Sequence, residues 1–275
     1  MFNQISSQAS KLINLTKRHH NKSNTKVIAI TSGKGGVGKS TFTANLAYTF
    51  SNLNKKVLVI DADIGLANMQ ILFDIKPKST INDYLEHNIS LENILLKTKY
   101  NNISLVAGKS GHNYILPNSQ NQYTNVIKDI VSLDKFDLIL IDTGAGLNAH
   151  VQEFLDISDE IIAVTTTDPS ALTDVYALIK MLSLSKKRIF MVFNHTKSYN
   201  IGQTITQSLI NLASKNKLNK NFMVKYIGNV IVDLNIATTG RLRKLYTKEL
   251  SYSNSAISMK SISQKLIDEI FNVKG

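Results

Sequence analysis

The chain has 275 residues, 43% of them hydrophobic, which is enough for one large domain with a substantial core. It contains no cysteine, and this excludes iron–sulfur clusters held by thiolates. Its formal net charge of +12 fits a nucleic-acid partner, an anionic membrane or only a lysine-rich proteome. The chain has neither a signal peptide nor an apolar run of the about 18 residues that a membrane span needs, so a cytoplasmic protein is expected.

The N-terminal region is basic and forms the first unit in chain order. Residues 1–26 contain no acid, and their Lys and Arg residues are Lys11, Lys17, Arg18, Lys22 and Lys26. Five apolar residues share one face of a predicted helix: Phe2, Ile5, Ala9, Leu12 and Leu15. We predict that residues 1–22 are a partner-binding segment with a linker, and that residues 23–275 form the main domain.

A glycine-rich motif follows the predicted strand Val27–Thr31 and precedes a predicted helix. It fits the pattern G-x-x-x-x-G-K-[ST] and consists of Gly33, Lys34, Gly35, Gly36, Val37, Gly38, Lys39, Ser40 and Thr41. Glycines let backbone N–H groups converge on phosphate oxygens, and a helix N-terminus adds positive partial charge. Lys39 would reach the β- and γ-phosphates, and the Ser40 hydroxyl would ligate Mg²⁺. The motif therefore predicts a nucleotide-binding P-loop.

Carboxylates end two of the later predicted strands. Asp61 and Asp63 follow the apolar run Val57–Ile60, and Asp142 follows Leu138–Ile141. In parallel sheets, ligands bind at the carboxyl ends of the strands. We therefore expect the three aspartates to lie near the P-loop.

Strands and helices alternate along the rest of the chain. The other predicted strands are Ile103–Val106, Ile161–Thr165, Ile189–Phe193 and Met223–Val232. The predicted helices are Asn121–Ser132, Leu147–Ile157, Ala171–Leu184, Ile201–Ser214 and Ser255–Phe271. This alternation predicts an α/β fold with a doubly wound, mostly parallel sheet flanked by helices.

A second lysine in the loop, Lys34, makes the motif K-G-G-x-G-K-[ST], which resembles the deviant Walker A motif of the MinD/ParA family of dimerising ATPases. The resemblance implies a MinD-like P-loop NTPase fold, ATP and Mg²⁺ as cofactors, and slow hydrolysis in an ATP-dependent homodimer. It implies that Lys34 crosses the dimer interface to the partner's nucleotide. It also implies that Asp63 orients the attacking water, while Asp61 and Asp142 lie on the Mg²⁺ side.

Two residues near the ends of later strands match adenine-side positions of the same family. Asn194 follows the strand Ile189–Phe193, and its amide could both donate to and accept from an adenine edge. Asp233 follows the predicted strand Met223–Val232, and the resemblance implies that its contribution is mostly through the backbone. His195 we interpret as a solvent-facing loop residue and not as a ligand.

Within the family, several stretches resemble the flagellar branch of FlhG-type regulators, among them the runs Asp61–Asn68 and Asp142–Gly146. Gln8–Leu12 resembles the element by which these proteins engage an FlhF-type GTPase, although Ser7 and Ile13 depart from it. The resemblance implies control of flagellar number or placement, with that GTPase and flagellar assembly proteins as partners. Two alternatives stay open: a MinD-type division-site ATPase, and a ParA-type partition ATPase, for which DNA would be the partner.

The predicted C-terminal helix is amphipathic. Its apolar stripe includes Met259, Ile262 and Leu266, while Asp268 and Glu269 lie among its basic residues. We predict that the stripe packs on the sheet, in preference to binding a membrane surface, which remains a further candidate partner.

Overall fold

A computed structural model describes residues 23–63, 67–87, 89–109, 121–216 and 218–271. The predicted partner-binding segment 1–22 lies outside the described residues, so the division of the chain at residue 22 stays a prediction. The strands are β1 (Lys26–Ser32), β2 (Val57–Ala62), β3 (Leu96–Lys97), β4 (Ile103–Val106), β5 (Leu138–Ala145), β6 (Glu160–Thr165), β7 (Arg188–Thr196) and β8 (Met223–Ile231). The helices are α1 (Lys39–Asn52), α2 (Met69–Leu72), α3 (Ile81–His87), α4 (Leu91–Ile94), α5 (Gln122–Ser132), α6 (Ala149–Ile157), α7 (Pro169–Leu182), α8 (Ile201–Lys215), α9 (Asn235–Arg241), α10 (Tyr246–Glu249) and α11 (Asn254–Phe271).

The strands form one sheet in the order β3-β4-β2-β5-β1-β6-β7-β8. All neighbours run parallel except β3, which pairs antiparallel with β4. The prediction of a doubly wound, mostly parallel sheet is therefore confirmed. The central strands are nearly continuous runs of buried apolar residues, because helices cover both faces of the sheet.

Alternate residues of each strand enter two different apolar layers. On one face, Ile28 and Ile30 of β1 pack with Phe42 of α1 and Met259 of α11. On the other face, Ala29 packs with residues of α6 and α7, such as Val151 and Val175, while Leu58 and Ile60 of β2 pack with α5. This period of two follows from the pleat of a strand.

The C-terminal helix α11 packs against β8 and α1, as predicted. Its residues Met259, Ile262, Leu266 and Ile270 are buried in the same layer as α1. Glu269 adds ion pairs with Arg188 of β7 and Lys225 of β8. Among the described residues, no helix has the length and hydrophobicity that crossing a membrane requires.

The sequence did not predict five short helices or strand β3. The helices α2, α3, α4, α9 and α10 have four to seven residues, which is too short for an apolar period to show. Two of them matter for the site, because α9 and α10 follow β8 at the edge where β1, β2, β5 and β7 also end.

Candidate nucleotide site

The P-loop joins β1 to α1 and leaves the start of that helix open. Gly36 and Gly38 have left-handed backbones with φ of 79° and 84°, a conformation in which glycine is unstrained. The N-cap residue of α1 is Gly38, which has no side chain to accept a hydrogen bond from the start of the helix. The first turn of α1 also contains no acidic residue. Uncapped N–H groups at a helix start favour an anion, and phosphate is the usual one.

Two glycines of the loop are held close to other parts of the fold. A side chain at Gly33 would collide with the backbone of Asp174 in α7, and one at Gly38 would collide with the amide of Asn194 at the end of β7. The loop is therefore fixed from two sides before any ligand binds.

The P-loop lysine points at Asp142 of β5, a strand that continues three residues further, to Ala145. The Lys39 ammonium lies 3.1 Å from Oδ1 of Asp142, and both side chains are buried. The Thr43 hydroxyl donates to the same oxygen at 3.0 Å. Thr43 was not singled out in the sequence, and its only signal there is its place one helical turn after Lys39.

Asp61 is register-paired with Asp142, since β2 and β5 are neighbours. It accepts hydrogen bonds from the backbone N–H groups of Met69 (2.8 Å) and Asp63 (3.4 Å), so it also holds the start of α2. Burial, with Asp142 nearby as the next cause, raises the pKa of Asp61 to about 7. Burial likewise raises the pKa of Asp63, against the opposing attraction of Lys39.

These residues fit a Mg²⁺ ion bound together with phosphate. The second oxygen of Asp142, Oδ2, is buried and has no hydrogen-bond partner among the described residues, and burial disfavours the charged forms of Asp61 and Asp63 beside it. The described residues contain no cluster of three or more His, Cys, Asp or Glu that could hold a metal alone. Mg²⁺ in nucleotide sites takes few protein ligands and several from phosphates and water, so the half-buried Ser40 hydroxyl and the Asp142 carboxylate suit it.

The second lysine of the loop is exposed and bound within its own chain. The Lys34 ammonium lies 3.3 Å from Oδ2 of Asp168 and 2.5 Å from the hydroxyl of Ser170. Asp168 is the N-cap residue of α7. The hydrogen bond from Ser170, and then Lys34, hold the pKa of Asp168 below its ordinary value. Neither Asp168 nor Ser170 was identified from the sequence.

A small pocket opens beside the start of α1. Asn194 lines this pocket, and its predicted adenine contact stays a prediction. Its amide is already engaged within the chain: Nδ2 donates to the Val37 carbonyl at 2.9 Å, and Oδ1 accepts from the His195 N–H at 3.0 Å. His195 is exposed, as expected, but it lies within β7 and not in a loop, and its side chain also lines the pocket. The lining residues are Gly38, Thr41, Phe42, Asn194, His195, Ile236 and Tyr246.

Asp233 does not line this pocket. Its carboxylate accepts from the backbone N–H of Asn235 at 2.9 Å and from the Ser255 hydroxyl at 3.4 Å, and so ties the start of α9 to the start of α11. The pocket residue from this stretch is instead Ile236, three positions later. The adenine-side role expected of Asp233 therefore stays a prediction.

Fold and site together define a P-loop protein, with a phosphate cradle and a small pocket beside it on one sheet edge. A family model described as an AAA domain matches residues 25–197. The flagellum site-determining protein YlxH of Helicobacter pylori is 40% identical over 77% of this chain and 74% of its own length. The antiactivator FleN of Pseudomonas aeruginosa is 29% identical over 87% of this chain and 85% of its own.

Among solved structures, the septum site-determining protein MinD of Pyrococcus horikoshii, complexed with Mg-ADP, superposes with a TM-score of 0.77. The match covers 90% of this chain and 98% of that one at 24% identity, so it shows the fold alone. The chain therefore belongs to the MinD/ParA superfamily of P-loop ATPases, and within it to the family of YlxH/FlhG-type proteins.

Proposed function

We propose that this protein is an ATP-dependent dimerisation switch that controls the number or placement of flagella. The observation that carries the proposal is the P-loop with its second lysine, which lies at the uncapped start of α1 in a chain 40% identical to YlxH. A site that holds phosphate and exposes a second cation suits a protein that changes its association with the bound nucleotide.

ATP with Mg²⁺ is the proposed ligand. Phosphates would be held by the loop's backbone amides and by Lys39, the ion by Ser40 with Asp61 and Asp142 around it, and the adenine by the Asn194 side of the pocket. Bound Mg²⁺ supplies charge stabilisation for phosphoryl transfer. The Asp63 carboxylate is half-buried and lies close to Gly144. This position suits a group that orients the attacking water for hydrolysis.

Dimerisation would bring Lys34 to the nucleotide of the partner. A second cation at the transferred phosphoryl group stabilises the charge of the transition state, as an arginine finger does. The side chain is 45% exposed and bound only by two exposed groups, so leaving Asp168 and Ser170 costs little.

The proposed partners are a second copy of the chain, an FlhF-type GTPase and flagellar assembly proteins. The GTPase would bind residues 1–22, which lie outside the described part of the chain, so this assignment depends on their sequence. We expect deletion of residues 1–22 to spare ATP hydrolysis and dimerisation but to remove GTPase binding in a pull-down. Unchanged binding by the truncated protein would refute the assignment.

The proposed location is the cytoplasm, with the inner face of the cell membrane as a further candidate. Membrane binding by α11 has little support, because its apolar stripe is already buried in the core. DNA is the partner of a ParA-type alternative, which salt-dependent binding to nonspecific duplex in the presence of ATP would favour. A MinD-type role has less support than a flagellar one, since the likeness to MinD of P. horikoshii shows the fold alone.

Light scattering with two matched variants tests the switch. Asp63→Ala should bind Mg-ATP and accumulate as dimer, because losing a water-positioning carboxylate slows the chemical step by roughly 10²–10⁴ and leaves phosphate contacts in place. Lys34→Ala should bind Mg-ATP and stay monomeric. An Asp63→Ala protein that remains monomeric with saturating ATP would sink the proposal.

The flagellar output needs a cellular test. Expressed in a bacterium that lacks its own ylxH-type gene, the protein should restore the flagellar number, counted by electron microscopy. The Lys39→Ala variant serves as the control without nucleotide binding. Normal ATPase activity without any effect on flagella would keep the switch and reject the flagellar role.

A further inference from the structure

One ring in the pocket beside the P-loop is unaccounted for by the roles given so far. His195 follows β7's pocket residue Asn194 and has a left-handed backbone, with φ of 55°. Its Nε2 atom lies 3.5 Å from the position that a Cβ at Gly38 would occupy. The ring therefore lies beside the start of α1 and lines the pocket there, although part of it is exposed to solvent.

The backbone of His195 is held independently of its ring. Its N–H donates to Oδ1 of Asn194, and Asn194 in turn donates to the Val37 carbonyl of the P-loop. These hydrogen bonds fix the backbone from which the imidazole projects. A substitution that changes only the side chain of residue 195 leaves both bonds in place. A substitution at position 195 can therefore test the ring without releasing the loop.

The surroundings of the ring suit a flat, uncharged partner. The other walls of the pocket include the apolar side chains Phe42, Ile236 and Tyr246, and within the described part of the chain no Lys, Arg, Asp or Glu lines it. Burial, with no charged neighbour contributing, holds the pKa of His195 below its ordinary value, so the ring is neutral at neutral pH. A purine base is a flat aromatic group that stacks on such rings.

We propose that His195 contacts the base of the bound nucleotide through its uncharged imidazole ring and so determines how much of the affinity comes from the base. This inference rests on the proposed function, because it requires a nucleotide in the site. It assigns the base contact to a second residue besides Asn194, whose amide is already bonded to the loop and to the His195 backbone.

The experiment compares ATP with tripolyphosphate, which has the same chain of three phosphates but lacks both the base and the ribose. Calorimetry at about pH 8 measures the Kd of Mg-ATP and of Mg-tripolyphosphate for the wild type, His195→Gly and His195→Phe. Glycine removes the ring and adopts φ of 55° without strain, while phenylalanine keeps a flat ring that cannot be protonated. Loss of a stacking ring weakens binding about tenfold. We expect that loss for ATP in His195→Gly, unchanged tripolyphosphate binding in both variants, and ATP binding near wild type in His195→Phe.

A pH series separates the ring's charge from its shape. Covering the imidazole with a base removes water from it, which opposes protonation. Relative to His195→Phe, the wild type should therefore lose ATP affinity as the pH falls through the pKa of His195 in the free protein, which lies below the ordinary histidine value of about 6.5. ATP itself also titrates in this pH range. The ratio of the Kd values of the two proteins at each pH removes that effect, because it is the same for both.

Each outcome separates this inference from the function on which it rests. ATP affinity unchanged in His195→Gly would overturn the inference and leave the ATP site intact. An equal loss for ATP and tripolyphosphate would show that position 195 acts on the loop, and would overturn it too. A wild-type protein that binds neither ligand would refute both the inference and the proposed function.

Discussion

The ammonium group of Lys34 lies 3.3 Å from a carboxylate oxygen of Asp168, so the second lysine of the P-loop forms an ion pair within its own chain. The two residues are 134 positions apart and meet because β1 and β6 are neighbours in the sheet. To reach a second nucleotide across a dimer, Lys34 has to leave this pair. The monomer thus holds the lysine in a position that competes with the proposed dimer.

Asp168→Asn should favour the ATP-dependent dimer, because it removes the charge that holds Lys34 in the monomer. The pair is exposed, so we expect only a few-fold fall in the dimer dissociation constant, measured by sedimentation in Mg-ATP, and a smaller difference at high salt. Asp156→Asn, which changes an exposed acid of α6, is the matched control and should not alter dimerisation. A higher dimer dissociation constant in Asp168→Asn would contradict the idea that Asp168 and the dimer compete for Lys34.

Lys39→Ala should abolish ATP binding and also destabilise the nucleotide-free protein. Asp142 would be left buried without its cation, and breaking a buried ion pair in this way costs about 3–5 kcal/mol. In the double variant Lys39→Ala, Asp142→Asn, urea unfolding should show most of the stability regained, while calorimetry should still detect no ATP binding. Wild-type ATP affinity in Lys39→Ala would refute the assignment of the P-loop.

Without nucleotide and metal, stability should fall as the pH rises from about 4 to about 7. The pKa of Asp61 is raised in the folded protein from 3.8 to about 7, so the folded state binds the proton more tightly. That stabilisation is complete below the unfolded pKa and is lost as the pH passes the folded one. Asp61→Asn should flatten this part of the profile in urea unfolding with a chelator present, and should exceed the wild type in stability at about pH 8. If the free energy of unfolding of Asp61→Asn changed with pH as steeply as that of the wild type, the raised pKa of Asp61 would be refuted.

Asn194→Ala should weaken the binding of Mg-ATP and of Mg-tripolyphosphate alike. It removes the donor to the Val37 carbonyl inside the P-loop, and a lost hydrogen bond of this kind is worth about 1 kcal/mol, or roughly fivefold in affinity. Calorimetry with the two ligands distinguishes this from a role at the base alone, in which only ATP would bind more weakly. Retained tripolyphosphate affinity would limit Asn194 to the base.

Much of the fold could be predicted because its signals are local. The runs Val57–Ile60 and Leu138–Ile141 are apolar since both faces of the sheet are covered, and the glycines of the P-loop mark a turn between a strand and a helix. The aspartates after those runs were expected near the loop because carboxyl ends of parallel strands share an edge. The structure brings Asp61 and Asp142 into register as neighbours.

What the sequence by itself determined is thus the class of protein: a doubly wound sheet, a phosphate-binding loop and the strand-end carboxylates beside it. Only the tertiary structure decided which distant side chains meet. Lys34 meets Asp168, Thr43 meets Asp142, and the ring of His195 faces Gly38. A local sequence pattern predicts that a strand or helix exists. It does not predict which element lies next to it, because that depends on how the whole chain packs. The pocket beside His195 was not predicted for that reason: its other walls come from α1, α9 and α10, which are far from His195 in sequence.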